Sequence, residues 1–176
     1  MSAPPDAAWR VPVKLSRLSR PQTFDLAPDE DQRLATAADL GLLGLPAFTA
    51  HLSTRPWLDG AEISGRLIAT VTYECGVSLD PFDSEIDTDF VLRVLPPGSP
   101  NAPASAKELD VEFDADDPPD VLESDDLDLA HVAIEHLALA LDPYPRKPDA
   151  VFEAPQEPED FSPFAALKAL KPKDPA

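Results

Sequence analysis

His131, Glu135 and His136 form an H-x-x-x-E-H string, one residue longer than the spacing at which a helix offers two histidines to one metal ion. Residues five apart on an α-helix are turned about 140° from each other, so these two histidines do not share a face. A polar helix surface explains them. Cys75, in Glu74-Cys75-Gly76-Val77-Ser78, is the only cysteine. A C-x-x-S element supports thiol chemistry where a cation or a helix N-terminus lowers the thiol pKa. Here the flanks are Glu74, Asp80, Asp83 and Glu85, and negative charge disfavours a thiolate. A small apolar turn residue is the simpler reading; a cysteine-based redox or metal-linked regulator is the alternative. One cysteine and three scattered histidines do not supply the about four ligands of a zinc site. There is no G-x-S-x-G string and no phosphate-binding glycine loop. The expectation is therefore a protein that is not an enzyme, with no catalytic residues, no metal and no cofactor.

Charge points to binding instead. The chain carries 33 acids against 14 bases, a formal net charge of −19. Non-specific nucleic-acid binding is driven by counterion release onto Lys and Arg, so this balance repels a phosphate backbone at long range and attracts basic partners. Two local patterns stand out. Arg10, Lys14, Arg17 and Arg20 occur within eleven residues with no acid among them, and Trp9 adjoins them as a ring able to stack on a base. They are candidate RNA contacts, or basic side chains that pair with the protein's own acids. From Glu108 to Asp128 there are eleven acids and no base. That belt is a solvated linker, or a surface that mimics nucleic acid for a basic protein. Lys168, Lys171 and Lys173 form a second basic spot near the C-terminus.

The elements that must position these residues read as α+β. Trp9 to Leu18 alternates with period two, a strand that Pro12 places at an edge. Residues 22–26 are a second short strand. Asp29 to Ala38 is a helix with acids in its first turn. Leu45 to Leu52 is a strand, 56–60 a turn, and Ala61 to Tyr73 the clearest long strand. Ile86 to Leu95 answers it across an extended loop at 74–85, too long for a tight hairpin. Asp128 to Leu141 is a helix with Leu129, Val132, Ala133 and Leu137 on one face and N-cap candidates before it. The architecture expected is an antiparallel sheet, or a partly closed barrel, packed on one or two helices.

The 22 prolines cluster in residues 96–119 and 143–175. They mark a flexible linker at about 96–107 and a proline-rich tail. The expected organisation is a flexible N-terminus (1–8), a domain (9–146) and a tail (147–176) holding a short amphipathic segment, Pro163 to Lys171. The N-terminus lacks the apolar stretch of a secretory signal, and no run is long enough to span a bilayer. A cytoplasmic protein with no membrane or DNA partner is expected.

Three segments together resemble the YceD family of large ribosomal RNA subunit accumulation proteins. The first is Cys75-Gly76-Val77-Ser78-Leu79-Asp80-Pro81-Phe82, similar to the family's C-x-x-C/T-L-x-P-F element. The second runs from Leu127-Asp128-Leu129 to Leu141-Asp142-Pro143-Tyr144-Pro145-Arg146. The third is Pro163-Phe164-Ala165-Ala166-Leu167-Lys168-Ala169-Leu170. Many relatives carry a second cysteine where Ser78 stands. Those forms could bind metal and this one should not; a Ser or Thr there looks like the alphaproteobacterial type. The resemblance implies a non-enzymatic role in large-subunit ribosome biogenesis, with large-subunit ribosomal RNA or a basic large-subunit ribosomal protein as partner. It also marks Cys75, Ser78, Leu79, Pro81, Phe82, Asp128, Pro143, Tyr144, Pro145 and Arg146 as candidate family-motif surface.

Overall fold

A computed structural model describes residues 9–103 and 118–152. Three long strands dominate it: β3 (Gly44–Trp57), β4 (Gly60–Glu74) and β5 (Pro81–Leu95). They form an antiparallel meander, extended by β2 (Gln22–Leu26) beside β3 and by β6 (Asp120–Val121) beside β5, so the order is β2-β3-β4-β5-β6. β1 (Pro12–Lys14) pairs separately with β7 (Asp126–Asp128). Helix α1 (Glu30–Asp39) packs on β3, and α2 (Leu129–Ala140) packs on β4, β5 and β1. The α+β class holds. The sheet does not close on itself, because β2 and β6 remain its two edges, and β6 runs parallel to β5. A partly closed barrel is thereby corrected to an open sheet.

Alternation sets the faces. On β4, Ile63, Leu67, Ala69, Val71 and Tyr73 are buried beneath the helices, while Ser64, Arg66 and Ile68 face out. Leu52 of β3 and Leu129 and Leu137 of α2 complete the fully buried centre. Both helices start where side-chain oxygens cap them. Asp29 and Gln32 close a reciprocal capping box at 2.9 Å each way, and Asp128 accepts from the Ala130 N–H at 3.1 Å.

Three expected boundaries move. The strand expected over Trp9 to Leu18 is only Pro12–Lys14, because a 3-10 turn at Leu15–Arg17 follows and buries Leu15 and Leu18. The turn expected at 56–60 shrinks to Leu58 and Asp59, since Trp57 pairs with Gly60. Pro56 stays in the strand because β2 reaches only Thr54. Beyond that point the side of β3 away from β4 needs no N–H. The loop expected at 74–85 is only 75–80, because Tyr73 pairs with Phe82 and Glu74 with Pro81. The first half of β5 hides its period: its half-buried positions include Ser84 and Thr88, and its outward ones are acids. Residues 108–113 and the segment Pro163 to Lys171 lie outside the described residues.

The β3–β4 turn makes opposite demands on adjacent positions. Leu58 has φ +53° and is largely exposed, a conformation that costs an L-residue about 1–2 kcal/mol. A Cβ on Gly60 would sit 2.0 Å from the backbone oxygen of Val94, which only a backbone shift relieves. Leu58→Gly is expected to be neutral or stabilising by up to about 1 kcal/mol. Gly60→Ala is expected to destabilise by about 1–3 kcal/mol. Urea unfolding of the two variants checks both signs.

Candidate functional site

The β4–β5 tip and the segment after α2 form one unit. The Gly76 N–H donates to the Pro145 carbonyl at 2.9 Å. The Asp142 N–H donates to the Tyr73 hydroxyl at 3.0 Å, and the Lys147 ammonium lies 3.9 Å from the Asp80 carboxylate. Across the loop, the Cys75 N–H donates to the Asp80 carbonyl and the Leu79 N–H to the Cys75 carbonyl, each at 2.9 Å. Leu79 adopts φ +61° and is exposed. Phe82 packs beside Tyr73 with ring centroids 5.8 Å apart.

At the centre is the Cys75 sulfur, fully buried. Three backbone N–H groups converge on it: Val77 at 3.4 Å, Ser78 at 3.5 Å and Lys147 at 3.3 Å. They draw the thiol pKa down to about 6; the Ser78 N–H acts most, then that of Lys147, and burial opposes them. This is the reverse of what the flanking acids alone predict. The amide dipoles touch the sulfur, whereas no shift arises from the acid side chains around it. Gly76 just after the cysteine does not mark this fold in the sequence, since it has an ordinary φ and room for a Cβ. Among the described residues no group of three or more His, Cys, Asp and Glu side chains converges to hold a metal ion.

The basic N-terminal strand is partly spent on its own protein. Arg10 pairs with Asp128 at 3.1 Å and Lys14 with Asp126 at 2.9 Å. Trp9 is half-buried, its ring edge-on to Phe48 with centroids 5.6 Å apart. Arg17 and Arg20 are exposed and make no ion pair within 4.0 Å among the described residues. The end of the acidic belt is the other side of these contacts. The Asp125 carboxylate takes both the hydroxyl and the N–H of Ser16, at 2.6 and 2.9 Å, and these bonds lower its pKa. The histidines part as their spacing requires: His131 is exposed, while His136 donates from Nδ1 to the Val132 carbonyl at 2.9 Å and stacks on Phe90.

Sequence patterning under-weighted the outer face of β5. Asp83, Glu85, Asp87 and Asp89 all project from it at alternate positions and are exposed. Asp83 accepts from the Thr72 hydroxyl at 2.7 Å, and Asp87 holds Arg66 through two bonds at 2.8 and 2.6 Å. β6 covers only Val94 and Leu95. From Pro81 to Arg93 the free edge of β5 therefore has no strand partner among the described residues. At its far end Glu62 is buried between Arg55 and Arg93, whose guanidinium groups lower its pKa, Arg55 foremost.

A model of the family "large ribosomal RNA subunit accumulation protein YceD" matches residues 63–171, more than half of the chain. The chain belongs to the YceD family. No curated protein and no solved structure matches it. The family's name implies a role in accumulation of the large ribosomal RNA subunit. The match takes in β4, the Cys75 tip, α2, the Pro143–Arg146 block and the tail segment. Within the tip and block, Pro143, Tyr144, Pro145 and Arg146 lead up to the Lys147 N–H on the sulfur, and Tyr144 is largely exposed. No helix of the described residues is long and apolar enough to cross a membrane.

The buried sulfur makes a pH-dependent contribution. An unfolded cysteine titrates at about 8.5. A thiol lowered to about 6 in the folded chain stabilises fully above the unfolded value, and this stabilisation is lost as pH falls through the folded one. In reducing buffer, the stability difference between the native chain and Cys75→Ser is expected to widen from pH about 6 to about 8.5 and then level off. Urea unfolding across that range measures it. A pH-independent difference would mean that the sulfur stays a neutral thiol.

Proposed function

We propose that this YceD-family chain is a cytoplasmic, non-enzymatic factor in large-subunit ribosome biogenesis that holds a basic ribosomal protein against its acidic β5 edge. The observation that carries the reading is the ladder of Asp83, Glu85, Asp87 and Asp89 on a strand whose outer edge is open over Pro81 to Arg93. Alternate acids on such an edge repel a second acidic copy of this chain. They attract a lysine- and arginine-rich segment, which a growing ribosome offers in its proteins. The net charge of −19 adds long-range steering of the same sign. The basic strand supports RNA binding less well, because Arg10 and Lys14 are engaged by Asp128 and Asp126 and the Trp9 ring lies against Phe48.

Affinity capture from cells, with bound material identified before and after nuclease treatment, tests the proposal. Basic large-subunit proteins are expected to stay bound after nuclease. Asp83→Lys/Glu85→Lys, which leaves Arg66 with both Asp87 and Asp89, is expected to weaken their capture about tenfold or more. If nuclease instead releases everything, and Arg17→Ala/Arg20→Ala abolishes capture, the partner is RNA and the proposal fails.

A further inference from the structure

A groove of about 640 Å³ wraps the first half of α2 and is bounded on its other sides by α1, β5 and β6. That volume lies within the range of about 300–1,000 Å³ of pockets that take sizeable ligands. Its floor is apolar, with Trp9, Ala35, Leu92, Leu122, Val132 and Ile134. Its rim is acidic, with Asp39, Asp120, Asp126, Asp128 and Glu135. Asp126 and Asp128 are matched by Lys14 and Arg10, whereas Asp39, Asp120 and Glu135 are exposed and make no ion pair among the described residues. The groove therefore asks for an occupant that is apolar on one side and carries two or three cations.

The chain itself contains one. In Pro163 to Lys171, Phe164, Leu167 and Leu170 recur every third residue and would share one side of a helix, with Lys168 and Lys171 beside them and Lys173 just beyond. The family match also runs through this segment, to residue 171. Reach permits the contact. Lys147 is anchored at the Cys75 tip, and α2, with 12 residues, separates that end from the groove by about 18 Å. The eleven residue-to-residue steps from Phe152 to Pro163 span up to about 36 Å. The geometry points to the groove beside α2 as the docking site of the chain's own Pro163–Lys171 segment, with its apolar side on the floor and its lysines on Asp39, Asp120 and Glu135.

A water-soluble carbodiimide, which joins an amine to a carboxylate in contact with it, tests this on the full chain at low micromolar concentration. Links within one chain from Lys168 or Lys171 to Asp39, Asp120 or Glu135 are expected in the mass spectrum of the digest. Leu167→Glu/Leu170→Glu is expected to reduce them about tenfold while the domain still unfolds in a single cooperative transition, shifted only slightly downward. In the unmodified chain, ¹⁵N relaxation of residues 164–170 is expected to match that of α2. Links found only between two chains would make a second copy the occupant and overturn the proposal. It is equally overturned by links spread evenly onto Asp83 and Glu85 and indifferent to the leucine changes, or by fast-tumbling relaxation of residues 164–170.

Discussion

β4 admits one register, and the remaining structure is arranged around that fact. It is paired along almost its whole length on both sides, to β3 from Gly60 to Thr72 and to β5 from Ala61 to Glu74. A slip of one residue would turn Ile63, Leu67, Ala69 and Val71 to water and bring Ser64, Arg66, Ile68 and Thr70 under the helices. Two close approaches lock it further. At Gly60 there is no room for a Cβ beside the Val94 carbonyl, and at Gly65 a Cβ would lie 2.4 Å from Phe90 and 2.5 Å from Leu52. Fixing β4 fixes both of its ends. One end sets the Leu58–Asp59 turn, to which Ser99 and Asn101 bond through the Asp59 carboxylate. The other sets Cys75 where the segment after α2 can reach it.

The many acids then divide by environment. Asp29 and Asp128 cap helices, Asp125 and Asp126 fasten the N-terminal strand, and Glu62 sits buried between two arginines. These carboxylates help to build the fold, and where a pKa moves it moves down, as bonds to the charged form require. Among the described residues, Asp83 takes one bond from Thr72, Asp89 faces Arg66 across the strand pair, and Glu85 has no such partner. Surface ion pairs such as Arg66–Asp87 contribute little, about 0–1 kcal/mol. An acid ladder on an open strand edge therefore adds little to stability. Under the proposed function it sets which surfaces approach that edge, because a row of like charges repels an acidic surface and attracts a basic one.

The legible parts of the fold were those whose signals are local. Acids in its first turn mark the start of α1, and Asp128 before the Leu129–Val132–Leu137 face reads as the start of α2; the helices begin at Glu30 and Leu129. β4 was legible because its inward side chains are apolar almost without interruption. β5 was legible only from Ile86 on, since Ser84 and four outward acids disguise its first half and only pairing to β4 forces it to be a strand. The strand at Trp9 was overread because Leu15 and Leu18 continue the apolar beat while serving a 3-10 turn. At the site, one family pattern holds both the Cys75 loop and the Pro143–Arg146 block, but their contact is seen only in the structure. The amides on the sulfur were not legible. They come from Val77 and Ser78 on one side and from Lys147, 72 residues away, on the other.

That cradle bears on what Cys75 can do. A reactive cysteine needs a thiolate and an approach path. The Ser78 and Lys147 amides supply the first, while complete burial and the Gly76–Pro145 bond remove the second. A metal would need further ligands within reach. Ser78, three residues on, has its N–H pointing at the sulfur and its hydroxyl oxygen accepting from the Asp80 N–H at 3.4 Å. The sulfur's hydrogen-bonding capacity is thus used inside the protein, joining the strand tip to the segment after α2. A sulfur held in this way works as a clamp: opening it means parting Pro145–Lys147 from the loop and breaking the Gly76–Pro145 bond and the Lys147 N–H contact to the sulfur. The tip is held in one shape for that reason, and the exposed Leu79 and Tyr144 are presented on it as fixed surface features.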